Sequence, residues 1–201
     1  MARFLEADLL HESESCDTTA MPTSNQSRPR AYEFAVRIAD PVRDEEALFA
    51  LFRDARAPEF ASLEWDDHRL DALLRTQFSA QRADYSRRFP GAEQRLALLE
   101  GEPVALLWVW HTDDHIRLLD IVVAASHRDA GIGVALMRRL QADAAGESLP
   151  LRHMVAVTNA GAIRFYERLG FVVVGDAGTH LLMDYVPRLT GETDLYRPSG
   201  G

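Results

Sequence analysis

The chain has 201 residues, 47% hydrophobic and 26% charged, a composition that fits one globular domain with a substantial core. Its net charge of -9 at pH 7 disfavours nucleic acid and anionic membranes as partners, and no apolar run approaches the roughly 18 residues of a membrane span. The single cysteine, Cys16, excludes an internal disulfide and fits a reducing compartment, so we expect a cytoplasmic protein.

Both ends of the chain differ from its middle. Residues 1–30 contain few large apolar side chains and many Ser, Thr and Pro, which predicts a disordered tail. Translation starts at Met1 or at Met21, and the acidic start without an apolar segment does not predict a signal peptide. Residues 188–201 predict a second loose tail, which leaves one domain at 31–187.

Within that domain the period of the apolar residues changes repeatedly, as it does where strands and helices alternate. The predicted elements are, in order, a strand in 32–40, a helix ending at Pro58, a helix from about Leu70 to Tyr85, a hairpin in 95–110, a strand at 116–125, a helix from Val134 to about Gly146, a strand at 151–158, a helix ending at Gly170 and two strands in 171–186. This order predicts one mixed α/β domain.

The stretch "SHRDAGIGVALMRRL" contains two glycines, Gly131 and Gly133, between a predicted strand and a predicted helix. Unpaired N–H groups at a helix start attract anions, and glycine lets a phosphate approach them closely. Neither nucleotide-binding fingerprint is complete, because Leu136 stands where a dinucleotide site needs a third glycine and no Gly-Lys-Ser/Thr follows. The loop alone is therefore either a phosphate site or a tight turn.

A second motif follows about 25 residues later. Arg128, Gly131 and Gly133 fit R-x-x-G-x-G, and "NAGAIRFYERLGF" at 159–171 fits N-x-x-A-x-x-x-Y-E-x-L-G-F. In order, spacing and context the pair resembles the GNAT superfamily of N-acetyltransferases. The resemblance covers residues 116–186 well and the first half only in element order. It implies a mixed, mostly antiparallel sheet of about seven strands with about four helices, splayed between strands four and five.

The resemblance also implies acetyl-coenzyme A as co-substrate, bound in the splay. Backbone groups near Val122 and Val123 would pair with its pantetheine arm and polarise the thioester carbonyl. Tyr166 would protonate the leaving thiolate and touch the cofactor. The remaining residues that the resemblance assigns to cofactor binding are Arg128, Asp129, Gly131, Ile132, Gly133, Val134, Asn159 and Ala162.

The general base has several candidates in this chain. Some relatives carry a glutamate five residues before the motif asparagine, where this chain has Met154. Asp120, the only acid within an apolar strand, is the alternative we favour; it is either the base or a structural carboxylate bonded to backbone or to His115. Asp113 and Asp114 are further candidates. Asp129 stands where relatives often have glycine, and we expect it to cap the helix and face water.

Other polar residues permit two interpretations. Gln77, Gln81 and Tyr85 share one helix face, which either faces solvent or borders the acceptor site that the resemblance places there. Trp108 and Trp110 fit packing better than ligand stacking. The histidines show no metal-binding spacing, so we expect no metal.

The resemblance implies an enzyme that transfers acetyl from acetyl-coenzyme A to a primary amine of a small molecule or protein, with a homodimer possible. The alternative is a non-catalytic acyl-coenzyme A-binding sensor or regulatory module. The intact loop and Tyr166 favour the enzyme, while Met154 favours the alternative.

Overall fold

The computed structural model describes residues 34–187, so the predicted tails at 1–30 and 188–201 lie outside the described residues. One seven-stranded sheet has the order β1-β2-β3-β4-β5-β7-β6. Only the β4–β5 pair is parallel. The strands are β1 Ala35–Ile38, β2 Glu93–Leu99, β3 Glu102–His111, β4 Ile116–Val123, β5 Leu151–Ala156, β6 Val172–Asp176 and β7 His180–Tyr185.

Four α-helices cover the two faces of the sheet: α1 Glu45–Arg56, α2 Asp67–Arg88, α3 Ile132–Glu147 and α4 Ala160–Arg168. Two hydrophobic clusters follow this division. On one face Leu48 and Phe78, from α1 and α2, pack with Trp108 of β3. On the other face Leu136 and Phe165, from α3 and α4, pack with the central strands. The predicted fold class is therefore confirmed.

Local chemistry sets the element ends. Asp66 accepts a hydrogen bond from the Arg69 N–H at 2.8 Å, so α2 begins at Asp67, earlier than the apolar pattern predicts. The β2–β3 hairpin turns at Glu100 and Gly101, both with positive φ, which matches the twist of the two strands. None of the helices in 34–187 is both long and apolar enough to cross a membrane.

The central parallel pair is short. β4 pairs with β5 only where Ile116–Leu118 meets Leu151–His153. Beyond these residues β4 stays paired with β3 as far as Val123, and β5 stays paired with β7 as far as Ala156. The two strands therefore separate and leave a wedge between them, as the resemblance implied.

A buried amide links α3 to the end of α4. Gln141 is 3% exposed, and its Nε2 donates to the Leu169 carbonyl at 2.7 Å. Its Oε1 accepts from Arg138 Nη1 at 3.0 Å. Because the helix-terminal carbonyl of Leu169 is buried, this contact satisfies a group that water does not reach.

We predict that Gln141→Met, which keeps the volume but loses both bonds, lowers the free energy of unfolding by about 1–3 kcal/mol, the cost of an unsatisfied buried polar group. Urea unfolding measures this loss. Arg138→Met is the matched control, since it removes only the part-buried outer bond of Gln141 and should cost clearly less. Equal losses in the two variants would contradict the prediction.

Candidate active site

A cleft of about 350 Å³ opens between the start of α3 and the end of α4. It brings together seven residues predicted to bind cofactor: Val123, Arg128, Asp129, Gly131, Ile132, Gly133 and Val134. His127, Arg138, Phe165, Arg168 and Leu169 complete the lining. The four other predicted cofactor residues, Val122, Asn159, Ala162 and Tyr166, do not line this cleft.

The loop before α3 is curled by two left-handed residues, Asp129 (φ 58°) and Gly131 (φ 82°). Gly131 is the N-cap of α3, and no side chain caps the helix. The expectation that Asp129 caps α3 is therefore wrong, because the helix begins beyond its reach at a glycine; Asp129 is exposed. The first-turn N–H groups, which have no helical partner, are left for another acceptor.

Two arginines of the cleft, Arg138 and Arg168, were not predicted from the motifs. Among residues 34–187 neither forms an ion pair with a carboxylate. With the positive end of α3 they make the cleft electropositive, despite Asp129. Arg138 could have been found from its spacing, since it follows Gly131 by seven residues and so lies on the same helix face.

Arg128 has an anchoring position. Its Nε donates to the Val123 carbonyl and its Nη2 to the Asp54 carbonyl, both at 3.3 Å. The Ala125 N–H donates to the carboxylate of Asp54 as well. Arg128 therefore ties the loop to the end of β4 and to α1.

Three of the other predicted cofactor residues have evident structural roles. Asn159 is the N-cap of α4, with its Oδ1 accepting from the Ala162 N–H at 2.9 Å. Val122 is buried in the core on the α1–α2 side.

Tyr166 lies beneath the apex of the wedge. The residue is 1% exposed, and its ring centroid is 4.4 Å from that of His153 and 5.4 Å from that of Phe171. His153 is the last residue of β5 in register with β4, and its Nδ1 contacts the Leu118 carbonyl at 2.9 Å. The Tyr166 ring therefore lies beside the residue at which β4 and β5 separate.

A β-bulge determines where Asp120 points. Trp108 pairs with Asp120 but Val109 pairs with Leu118, so Leu119 has no partner on β3. In a strand that alternates regularly, Asp120 would face the same side as Leu118, toward α3 and α4. The bulge interrupts this alternation, so Asp120 meets α2, where Gln81 Nε2 donates to Asp120 Oδ2 at 3.5 Å.

Two of the predicted substrate residues join Asp120. Gln81 and Tyr85 are 4% and 3% exposed, so this part of α2 is not the solvent-facing surface that was the alternative. The Tyr85 ring packs edge-on against Trp108, with centroids 5.2 Å apart, and its hydroxyl makes no hydrogen bond to the described residues. Gln77, one turn earlier, is only partly buried.

Burial is the largest influence on the pKa values of Asp120 and Tyr85. It raises the pKa of Asp120 above its ordinary value, although Arg56 and His153 lower it in part. Burial, and then the charge of Asp120, raise the pKa of the Tyr85 phenol. The neighbouring charges and hydrogen bonds therefore do not fully offset the cost of burying the ionised carboxylate of Asp120.

The other candidate bases lie elsewhere. Asp113 and Asp114 are exposed in the β3–β4 turn. His115, which the sequence suggested as a partner of Asp120, instead contacts Asp114, with its Nδ1 2.8 Å from the Asp114 carboxylate. Trp110 donates from Nε1 to the Pro90 carbonyl at 2.9 Å, which supports the packing interpretation.

Comparison with known proteins identifies the family. Residues 46–171 match the model described as the acetyltransferase (GNAT) family. The chain belongs to the GNAT acetyltransferases. No curated protein matches its sequence.

Solved structures agree in fold. The PaiA N-acetyltransferase of Thermoplasma acidophilum, solved with coenzyme A, is similar with a TM-score of 0.59 and 16% identity over 77% of this chain and 99% of that one. The ribosomal-protein-S18-alanine N-acetyltransferase of Escherichia coli gives a TM-score of 0.56 and 17% identity over 81% and 99%. The structure of histone acetyltransferase HPA2 and related acetyltransferase from Corynebacterium glutamicum gives a TM-score of 0.57 and 22% identity over 79% of this chain and 99% of that one.

Within residues 34–187 no cluster of three or more His, Cys, Asp or Glu side chains could hold a metal ion. The candidate site of this GNAT domain consists of the basic cleft, the wedge, and the Asp120–Gln81–Tyr85 group on the α2 side.

We predict that Asp120→Asn stabilises the folded protein increasingly as the pH rises. A carboxyl whose folded-state pKa is raised binds more protons folded than unfolded, so wild type loses stability between the ordinary pKa, about 4, and the raised one. The asparagine variant lacks this loss. Urea unfolding of both proteins between pH 4 and pH 8 tests it, and a stability difference independent of pH would refute it.

Proposed function

We propose that this GNAT domain transfers acetyl from acetyl-coenzyme A to a primary amine by direct attack. The observation that carries the proposal is the uncapped, electropositive start of α3 beside the open wedge between β4 and β5. The likeness to a coenzyme A complex of the same fold supports it.

The residues of the cleft fit the phosphates of coenzyme A. The first-turn N–H groups that follow the N-cap Gly131 have no helical partner and can donate to an anion, and Arg138 and Arg168 add two charges that carboxylates do not neutralise. Arg128 keeps the loop in place through the carbonyls of Val123 and Asp54. The negative charge of Asp129 is exposed and therefore well screened by water.

Acetyl-coenzyme A supplies the acetyl group as a thioester, so no enzyme nucleophile is needed. Asp120 accepts the proton that the attacking amine loses, a role that suits a base with a raised pKa. As the C–N bond forms and the C–S bond breaks, Tyr166 gives its phenol proton to the leaving sulfur, and water that enters the wedge after the thiol has left returns a proton to it. A backbone N–H near Val122 or Val123 stabilises the oxyanion.

A non-catalytic acyl-coenzyme A-binding module is the second candidate. Met154, in place of a strand-five carboxylate, favours it, as does the near-complete burial of Tyr166. Thiol release from acetyl-coenzyme A with a panel of primary amines separates the two. Amine-dependent release supports the transferase, whereas tight binding without release with any amine supports the module.

We predict that Gly131→Ala weakens acetyl-coenzyme A binding at least tenfold. A Cβ at Gly131 meets no protein atom within 4 Å, so it would enter the space assigned to the phosphates. The left-handed backbone adds about 1 kcal/mol of strain.

Gly178→Ala is the matched control for Gly131→Ala. Gly178 has almost the same φ, 81° against 82°, and equally open surroundings, but lies in the β6–β7 turn. Calorimetric titration should show a loss for Gly131→Ala alone. Equal affinities of both variants for acetyl-coenzyme A would remove the loop from cofactor binding.

We also predict that Tyr166→Phe lowers kcat by about a hundred- to ten-thousand-fold, the usual contribution of a positioned general acid. The aromatic packing against His153 and Phe171 stays in place, so the KM for acetyl-coenzyme A should hardly change. Steady-state kinetics at saturating amine measures both. An unchanged kcat with a raised KM would show that Tyr166 only packs against the cofactor.

A further inference from the structure

Arg117 is a partly buried cation on β4 without a carboxylate partner. Its Nη2 lies 2.7 Å from Met154 Sδ, and its guanidinium lies 5.2 Å from the centroid of the Phe89 ring. Among residues 34–187 no acidic side chain comes within ion-pairing distance of it. A thioether is a weak acceptor, so most of the five guanidinium donors lack a strong protein partner.

Two other arginines, Arg152 and Arg88, lie near Arg117. Burial lowers its pKa from the ordinary value, and the charges of Arg152 and Arg88 lower it further, yet a guanidinium stays protonated. Those neighbours have partners of their own: Arg152 forms two hydrogen bonds of 2.8 Å with Asp184, and Arg88 pairs with Asp84 at 3.2 Å. Arg117 is therefore the unneutralised charge of this group, in a place where desolvation makes a lone charge costly.

The same side chain belongs to the acceptor side of the site. Phe89, over which Arg117 lies, packs edge-on against Tyr85 with centroids 5.8 Å apart. Tyr85 packs in turn against Trp108, the β3 residue that pairs with Asp120. Arg117 precedes Asp120 by three residues on β4, about 10 Å along a strand, a separation that a flexible arginine side chain shortens considerably.

Met154 of β5 is the residue that meets this charge. Its thioether contacts Arg117 but carries no charge of its own. A glutamate at that position would neutralise Arg117 from within the protein. With methionine there, the fork of donors remains open to an anion from outside.

We propose that Arg117 binds an anionic group, a carboxylate or a phosphate, on the acceptor molecule whose amine lies at Asp120. The acceptor is then an amine that carries a negative charge of its own, such as an amino acid or an aminoalkyl phosphate. The proposal rests on the proposed acetyl transfer and adds the substrate class. Both oxyanions accept two parallel hydrogen bonds from a guanidinium, which accounts for an arginine at this position.

Matched pairs of acceptors test this on the full chain. Each pair has the same amine with and without the anion: L-amino acids against their decarboxylated amines, and phosphoethanolamine against ethanolamine. We expect the anionic member of at least one pair to have the higher kcat/KM, by about ten- to a hundredfold, the usual value of a charge-assisted hydrogen bond. A preference for the amino acids over their decarboxylated amines identifies a carboxylate site. A preference for phosphoethanolamine over ethanolamine identifies a phosphate site.

Variants then assign the preference to Arg117. Arg117→Met should abolish it by raising the KM of the anionic acceptor, with the KM of acetyl-coenzyme A and the rate with the uncharged amine unchanged. Arg117→Lys should keep part of it. Arg139→Met is the control, since Arg139 is an exposed arginine of α3 on the opposite face of the sheet, and it should keep all of it.

The failures are distinguishable. If amines are acetylated but no anionic member exceeds its uncharged partner, the inference is overturned and the proposed function stands. The same holds if Arg117→Met slows both members of a pair equally, which indicates a structural role. If no amine is acetylated, both fall. If Arg117→Met does not fold, the wild-type pairs and Arg117→Lys still decide.

Discussion

The separation of β4 from β5 is the constraint on which the site depends. Two parallel neighbours pair over three residues and then follow different partners, β4 with β3 and β5 with β7. The two outer ladders hold each strand along its length, and so they set the direction in which each strand leaves the pair. The parting places Tyr166 beneath the apex, and the loop that follows β4 leads directly to the basic cleft at the start of α3.

A single extra residue determines the chemistry of the acceptor side. The bulge at Leu119 turns Asp120 from the α3–α4 face to the α2 face, where Gln81 contacts it and Tyr85 packs nearby. Burial then gives the carboxyl a raised pKa, so a group that is ordinarily a weak base at neutral pH becomes a stronger one. The same face of β4 carries Arg117, so opposite charges lie along one strand.

Much of this could be predicted from the sequence, for physical reasons. Apolar periodicity reports which faces are buried, so the elements and their order were accessible, and the glycine loop follows from the needs of an anion site at a helix start. The bulge could not be predicted, because "IRLLDIVV" has apolar residues at both odd and even positions. A shift in which residues face which side therefore leaves no visible mark in the sequence. The burial of Gln81 and the isolation of Arg117 depend on packing between distant segments. The helix boundary at Gly131, which excludes Asp129 as a cap, depends on backbone geometry that composition does not report.

Hydrogen–deuterium exchange with and without acetyl-coenzyme A tests the central claim, that one ligand occupies both the start of α3 and the wedge. Our account predicts slower exchange of the backbone amides at 131–134 and, in the same experiment, of those at 119–123 on β4. The amides of the β6–β7 turn at 177–179 should not change. Protection confined to the loop, with the β4 amides unaffected by saturating ligand, would contradict the claim that the wedge receives the acetyl-bearing end of the molecule.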